Sequence, residues 1–269
     1  MRLPTALIGS LLLASCSRDR TSAGAPPEDG LHATTSGGSV TSRRDSTTYP
    51  VIRALYLNRF AAQSARKMRH MFAIADSTEI NGFVIDMKDE FGLNYRSSNP
   101  EIRKNAGSDK GRVANVKALV DSVKAHGVVP IARLVAFKDP VTARIHPDWT
   151  ILREDGSAWQ DKEGLAWVNA FHPAVWEYNL LVAEELVALG FEEIQWDYIR
   201  FPEPYRSLPK QVFPGATTSK PDALAAFLKL ARERLNKAGV HSTADIFGLV
   251  TTVRGPLEVG QWWEKLSHP

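Results

Sequence analysis

The sequence predicts an α/β fold of the (β/α)8 TIM-barrel type. Segments with strand and helix periodicity alternate at least five times between residues 51 and 266, which is the signature of parallel βα units. No glycine-rich phosphate fingerprint follows the first strand, which counts against a dinucleotide-binding sheet. Acidic and basic residues stand at the ends of several predicted strands, where parallel barrels keep their chemistry. Only five units can be counted before residue 269, whereas a closed barrel has eight. The expectation is a barrel truncated after about five units.

The chain has 269 residues, of which 43% are hydrophobic and 23% charged, with a net charge of +3. That suits one apolar core, and no lysine- or arginine-dense run suggests nucleic acid. Residues 1–15 read as a signal segment: Arg2 supplies a positive start, and residues 7–14 form an apolar stretch too short to span a bilayer. They run into Leu13-Ala14-Ser15-Cys16, which resembles a bacterial lipobox. The resemblance implies lipidation at Cys16, the only cysteine, and anchoring to a membrane of the cell envelope, the outer membrane in a Gram-negative host. A second cysteine being absent, no disulfide can form within the chain. Residues 16–50 are rich in Ser, Thr, Gly and Pro and read as a flexible tether. Residues 51–269 form the expected catalytic-type domain.

Within that domain, residues 51–57 read as the first strand and 64–76 as a helix with Ala65, Met68, Met71, Phe72 and Ala75 on one face. Residues 83–87 are the second strand, and 116–126 a helix closed by Gly127. Residues 128–135 are the third strand. Pro173 opens the next helix, where a missing N–H is tolerated, and Gly190 ends it. The stretch F-E-E-I-Q-W-D-Y-I-R-F-P, residues 191–202, carries the fourth strand, stopped by Pro202. Ser219-Lys220-Pro221-Asp222 resembles a capping box for a helix reaching residue 238. Residues 240–247 are the fifth strand, and 257–266 a further helical start.

Period-two alternation places Val84, Asp86 and Lys88 on one face of the second strand. It likewise groups Ile131, Arg133 and Val135, then Gln195 with Asp197, then Thr243 with Asp245. Inward polar residues on neighbouring strands converge at one mouth. A carboxylate such as Asp197 at the exit of a core strand costs free energy unless it is paired or functional. The competing reading is an ion pair, such as Asp86 with Arg133, that only staples the loops. Paired carboxylates at a strand mouth suit glycoside hydrolysis, in which one protonates the leaving oxygen and the other attacks the sugar or activates water. Trp149, Trp159, Trp167 and Phe171 offer rings that could stack on sugars, or could simply pack a long loop. His146 and His172 stand beside prolines without metal-ligand spacing and read as structural or capping residues. Glu177, Glu184 and Glu185 read as a solvated helix face. No metal or cofactor is implied.

Five segments in order, F-V-I-D-M-K-D-E-F-G, I-A-R-L-V-A-F-K-D-P, W-Q-D-K-E-G-L-A-W-V-N, I-Q-W-D-Y-I-R-F-P and A-D-I-F-G-L, together resemble a bacterial glycoside hydrolase family once catalogued only as a domain of unknown function. The resemblance covers residues 51–269 and implies a TIM-barrel domain acting on a polysaccharide. The motif positions it marks are Asp86, Lys88, Asp89, Arg133, Lys138, Asp139, Trp167, Asp197, Tyr198, Arg200 and Asp245. The expected function is lipid-anchored hydrolysis of a cell-surface or extracellular polysaccharide. Asp197 is the expected nucleophile or general base, Asp245 the general acid, and Asp86 the reserve. Lys88, Asp89, Arg133, Lys138, Asp139, Trp167, Tyr198 and Arg200 are expected to position substrate or tune the acids. The rivals are a non-catalytic glycan-binding lipoprotein on the same scaffold and an inactive truncated product.

Overall fold

The computed structural model describes residues 51–106 and 113–267. The signal segment, Cys16 and the tether lie outside them. Among the described residues, no helix is long and apolar enough to cross a membrane.

Among the described residues, five parallel strands and one short antiparallel strand form the sheet. In chain order the elements are β1 (Ala54–Leu57), α1 (Ala65–Ser77), β2 (Gly82–Asp89), β3 (Gly92–Leu93), α2 (Pro100–Asn105), α3 (Val116–Ala125), β4 (Val129–Val135), α4 (Pro140–Ile145), α5 (Pro173–Ala188), β5 (Glu193–Asp197), α6 (Lys220–Asn236), β6 (His241–Ala244) and α7 (Trp263–Leu266). Local chemistry sets several of these ends. Ser64 caps α1 by accepting from the Lys67 N–H, and Ser219 caps α6 with Asp222 reaching back to its hydroxyl. Gly190, just past α5, has φ +108°, which a side chain would strain.

The spatial order β1-β2-β4-β5-β6 follows the chain, with β3 antiparallel to β2 as a short flap. Every crossover therefore steps in the same direction. Right-handed crossovers at each step put α1, α3, α5 and α6 on one face, which is barrel-type winding and not the reversal of a doubly wound sheet. The fold is a partial (β/α) barrel. Its helix-side face holds Leu57, Phe83, Ile85, Ala132, Leu134, Ile194 and Trp196, all fully buried. The register places a polar row on the other face: Asp86, Arg133, Gln195 and Thr243 lie side by side across β2, β4, β5 and β6. Asp197 follows one step along, opposite Val135.

The fifth strand stops at Ala244 rather than continuing to residue 247, so Asp245 stands just beyond it. The predicted helical start at 257–266 is confined to Trp263–Leu266. Two short helices, α2 and α4, were not expected. Both start on a capping side chain followed by proline, Asn99-Pro100 and Asp139-Pro140.

The largest correction concerns Lys88. A bulge between Asp86 and Lys88 shifts the register so that Lys88 pairs with Leu134, while Asp86 pairs with Arg133. One inserted residue turns the strand over, and Lys88 points to the helix side, away from Asp86. There its ammonium is fully buried, 2.8 Å from Asp139 and donating to the Val135 carbonyl at 2.6 Å. Tyr178 of α5 lies 5.5 Å away. Lys88 thus ties the end of β2 to the start of α4. The α5 glutamates are partly solvent-exposed, as expected, but each is also paired. Glu177 and Glu184 clamp Arg234 of α6 at 2.6 Å, and Glu185 accepts from Tyr95, Ser98 and Asn99.

Removing one partner of a buried ion pair strands the other charge, which costs about 3–5 kcal/mol. Lys88→Met should therefore lower unfolding free energy by about that amount in urea titration. A loss under about 1 kcal/mol, the range of exposed pairs, would contradict the buried assignment.

Candidate active site

The polar face of the sheet is organised around Arg133. Its guanidinium donates through Nη1 to Asp86 Oδ1 at 2.6 Å and through Nε to Asp197 Oδ2 at 2.9 Å, with Nη2 also on Asp197. Burial opposes the charge on Arg133, but Asp197 and Asp86 outweigh it and hold the guanidinium above its usual range. The opposite carboxylate oxygen of Asp86 accepts from the Tyr56 hydroxyl at 2.5 Å. Burial, reinforced by Asp86, pushes that phenol up. Tyr56 was not singled out in the sequence, where it sits inside an apolar strand. Strand alternation alone places it on the polar face.

Asp197 is held from a second direction. Its Oδ1 accepts the backbone N–H of Tyr198 at 2.5 Å, and Tyr198 has φ +53°, the one non-glycine residue with positive φ among those described. A bulky residue in the left-handed region is strained, and such strain gathers at functional sites. The Tyr198 ring is braced edge-on by Trp167 at 5.7 Å and flanked by Arg200 at 5.0 Å and Lys138 at 5.3 Å.

Asp245 faces this pair from beyond β6. It accepts from Gln195 Nε2 at 3.0 Å. Burial, and then the negative charge of Asp197, push its carboxyl above the ordinary carboxylate value. Asp197, Tyr198, Arg200, Asp245, Ile246, Phe247 and Gln261 line one small cleft of about 80 Å³.

The remaining expected site residues fall outside that cleft. Asp89, raised above its usual value chiefly by burial, braces the β2–β3 turn through Phe91 N–H, Asn94 and Arg59. Asp139 caps α4 and neutralises Lys88. Lys138 is buried against Glu163 at 2.8 Å. Trp167 is 1% exposed and donates to Asp161, so it supports Tyr198 from behind and cannot lie against a sugar. Trp159 is wholly buried, Trp149 stacks on His146, and Phe171 packs on Phe201 and Phe213. Of the two roles the sequence left open for the four loop rings, the contacts observed are those of loop packing. His172 caps α5 and His146 meets Asn105, as structural roles require.

Carboxylates therefore gather at the C-terminal ends of parallel strands on a barrel-type scaffold. Residues 54–269 match the family described as "putative glycosyl hydrolase domain", and the chain belongs to that family. A crystal structure of a hypothetical protein from Ruminiclostridium thermocellum ATCC 27405 is 35% identical, with a TM-score of 0.65, covering 72% of this chain and 98% of that one. A glycoside hydrolase family 20 β-N-acetylglucosaminidase shares the fold at 12% identity and a TM-score of 0.51, over 72% of this chain and 43% of its own length. No curated protein matches.

Arg133→Gln should strand Asp86 and Asp197 together. With the site partly open, the expected cost is about 2–4 kcal/mol, somewhat below that of a fully buried pair. Asp86→Asn added to that variant should restore part of the loss, as denaturation of the full double-mutant cycle would reveal. Strict additivity would contradict the network.

Proposed function

We propose that the protein is a lipid-anchored glycoside hydrolase acting on a cell-surface or extracellular polysaccharide. The supporting observation is the pair Asp197 and Asp245 in one cleft, in opposite electrostatic surroundings. Asp197 is paired with a guanidinium and receives a backbone N–H. Asp245 is shifted towards its protonated form by burial and by Asp197. Two carboxyl groups in one cleft, one of them raised by its surroundings, supply the pair that glycosidic cleavage needs.

In this reading Asp245 gives its proton to the glycosidic oxygen as the bond to the anomeric carbon breaks. Asp197, as a carboxylate, attacks that carbon or takes the proton of the attacking water. Asp86 acts through Arg133, fixing the guanidinium that orients Asp197. Arg200 and Tyr198 form the wall against which the sugar is placed. Trp167 and Lys138 brace that wall, while Lys88, Asp89 and Asp139 hold the end of β2 and the start of α4 and take no part in contacting substrate.

Asp197→Asn should lower kcat by about a thousandfold, the scale of losing one electrostatic catalytic group. The wild-type activity is sought as reducing-end release from a panel of cell-wall glycans and exopolysaccharides. Melting should fall only modestly, because Asp86 continues to neutralise Arg133. A variant that keeps its turnover per folded molecule would make Asp197 a staple, and glycan binding without any wild-type turnover would favour a binding protein.

Anchoring is proposed from the Leu13-Ala14-Ser15-Cys16 segment. Acyl chains on Cys16 would hold the domain at a membrane surface, since more than one chain gives stable attachment. Cys16→Ser should abolish acyl labelling and release the protein from the membrane fraction. Unchanged labelling and fractionation would contradict the assignment.

A further inference from the structure

Two of the exposed rings among the described residues, Tyr205 and Phe247, line one groove that adjoins the Asp245 cleft. Tyr205, Phe247 and Leu249 are 43%, 38% and 57% exposed. With Leu257 they line a mostly apolar groove of about 300 Å³ whose wall also carries Glu203 and Glu258. That volume is at the lower end of the range of small-molecule sites.

The groove adjoins the cleft of the two acids. Phe247 belongs to both. Arg200 of the cleft is ion-paired at 2.9 Å to Glu203 of the groove. Both rings are held in place before any ligand arrives. The Arg200 guanidinium sits 4.8 Å from the Phe247 ring centre, and the Phe247 N–H donates to Gln261 at 3.0 Å. The Lys162 ammonium lies 3.3 Å from the centre of the Tyr205 ring. A braced, exposed aromatic ring loses little conformational freedom on binding, and its apolar face suits the C–H face of a pyranose.

We propose that this groove is a binding subsite for an uncharged pyranose on the leaving-group side of the scissile bond. The position rests on the hydrolytic reading above: the group that protonates the leaving oxygen stands next to the sugar that departs, and Asp245 adjoins the groove through Phe247. The charge preference follows from the lining. Its own charged groups are two carboxylates, and the neighbouring cations are already engaged, Arg200 with Glu203 at 2.9 Å and Lys162 on the Tyr205 ring at 3.3 Å, so a uronic acid would desolvate its charge here without a cation of its own. The polysaccharide is therefore neutral at this position, and its chain runs from the Asp197–Asp245 cleft across Phe247 towards Tyr205.

The test uses neutral hexasaccharides of β-1,4-glucose, β-1,4-N-acetylglucosamine, β-1,4-mannose and β-1,4-xylose, with hexagalacturonate as the anionic control. Amide chemical shifts of the full chain are followed during titration. The subsite predicts that at least one neutral hexasaccharide moves the Phe247 and Tyr205 resonances and that hexagalacturonate does not. Phe247→Ala and Tyr205→Ala should each weaken that binding about tenfold, the loss typical of a central aromatic contact, with melting unchanged. Leu249→Ala, a milder truncation at the same surface, serves if either ring variant fails to fold. The proposal is overturned if none of the neutral probes shifts these resonances at 10 mM, roughly the weak limit of specific recognition, if the variants bind as wild type does, or if the anionic control binds equally well. Binding in the groove without turnover would sink the hydrolytic reading and leave the subsite. Turnover indifferent to Phe247 and Tyr205 would do the reverse.

Discussion

A single cation on the sheet determines what this site can be. Arg133 stands in the polar row with an acid on each side, and the sheet gives it no other role. Without the guanidinium, the buried Asp86 and the partly buried Asp197 would stand as unpaired charges at the mouth of one sheet, which costs free energy. With it, each carboxylate has a cationic partner, and Asp197 also bears on Asp245. The asymmetry between the acids thus begins with a residue that need never touch a sugar. Tyr56 and Asp86 belong to the same device, since they fix where the guanidinium points.

Around that device the loops divide into two kinds. The long segment between α4 and α5 is rich in aromatic residues, and these are consumed in packing: Trp159 and Trp167 are buried, with their N–H groups on the Pro209 carbonyl and the Asp161 carboxylate. This rigid block supports Tyr198, whose strained backbone presents its N–H to Asp197. The segment after β6 does the opposite. It leaves Phe247 and Leu249 exposed, in a groove that shares Phe247 with the Asp245 cleft.

The sequence made the winding and the polar face readable because both depend on regular periods. Asp86, Arg133, Gln195 and Asp197 occupy unbroken stretches of parallel strand, so counting by two put them together. Counting failed at Lys88, where a bulge inserts one residue and no residue type announces it. The short helices α2 and α4 escaped because two turns are too few to show a 3.6-residue period, although Asn99-Pro100 and Asp139-Pro140 carried a start signal. Pairing partners were hidden for a different reason. Glu185 meets Tyr95, 90 positions away in the chain, and Glu184 meets Arg234, 50 away. Only the winding brings such residues together. The aromatic residues were the least legible, since composition cannot separate a ring that packs a loop from a ring that awaits a sugar.

The central claim is that Asp197 and burial together hold Asp245 towards its protonated form. Carboxyl carbon NMR, following Asp245 through a pH titration, tests it directly. In the wild type Asp245 should titrate above the ordinary aspartate value of about 3.9. In Asp197→Asn it should titrate lower, because one negative neighbour is lost while Arg133 remains. The sign also appears in stability. A carboxyl raised in the folded state contributes stability in acid that is lost as pH rises through its folded value, so Asp245→Asn should melt slightly higher than wild type at neutral pH and equally at low pH. An Asp245 that titrates at or below about 3.9, and is unmoved by Asp197→Asn, would contradict the account.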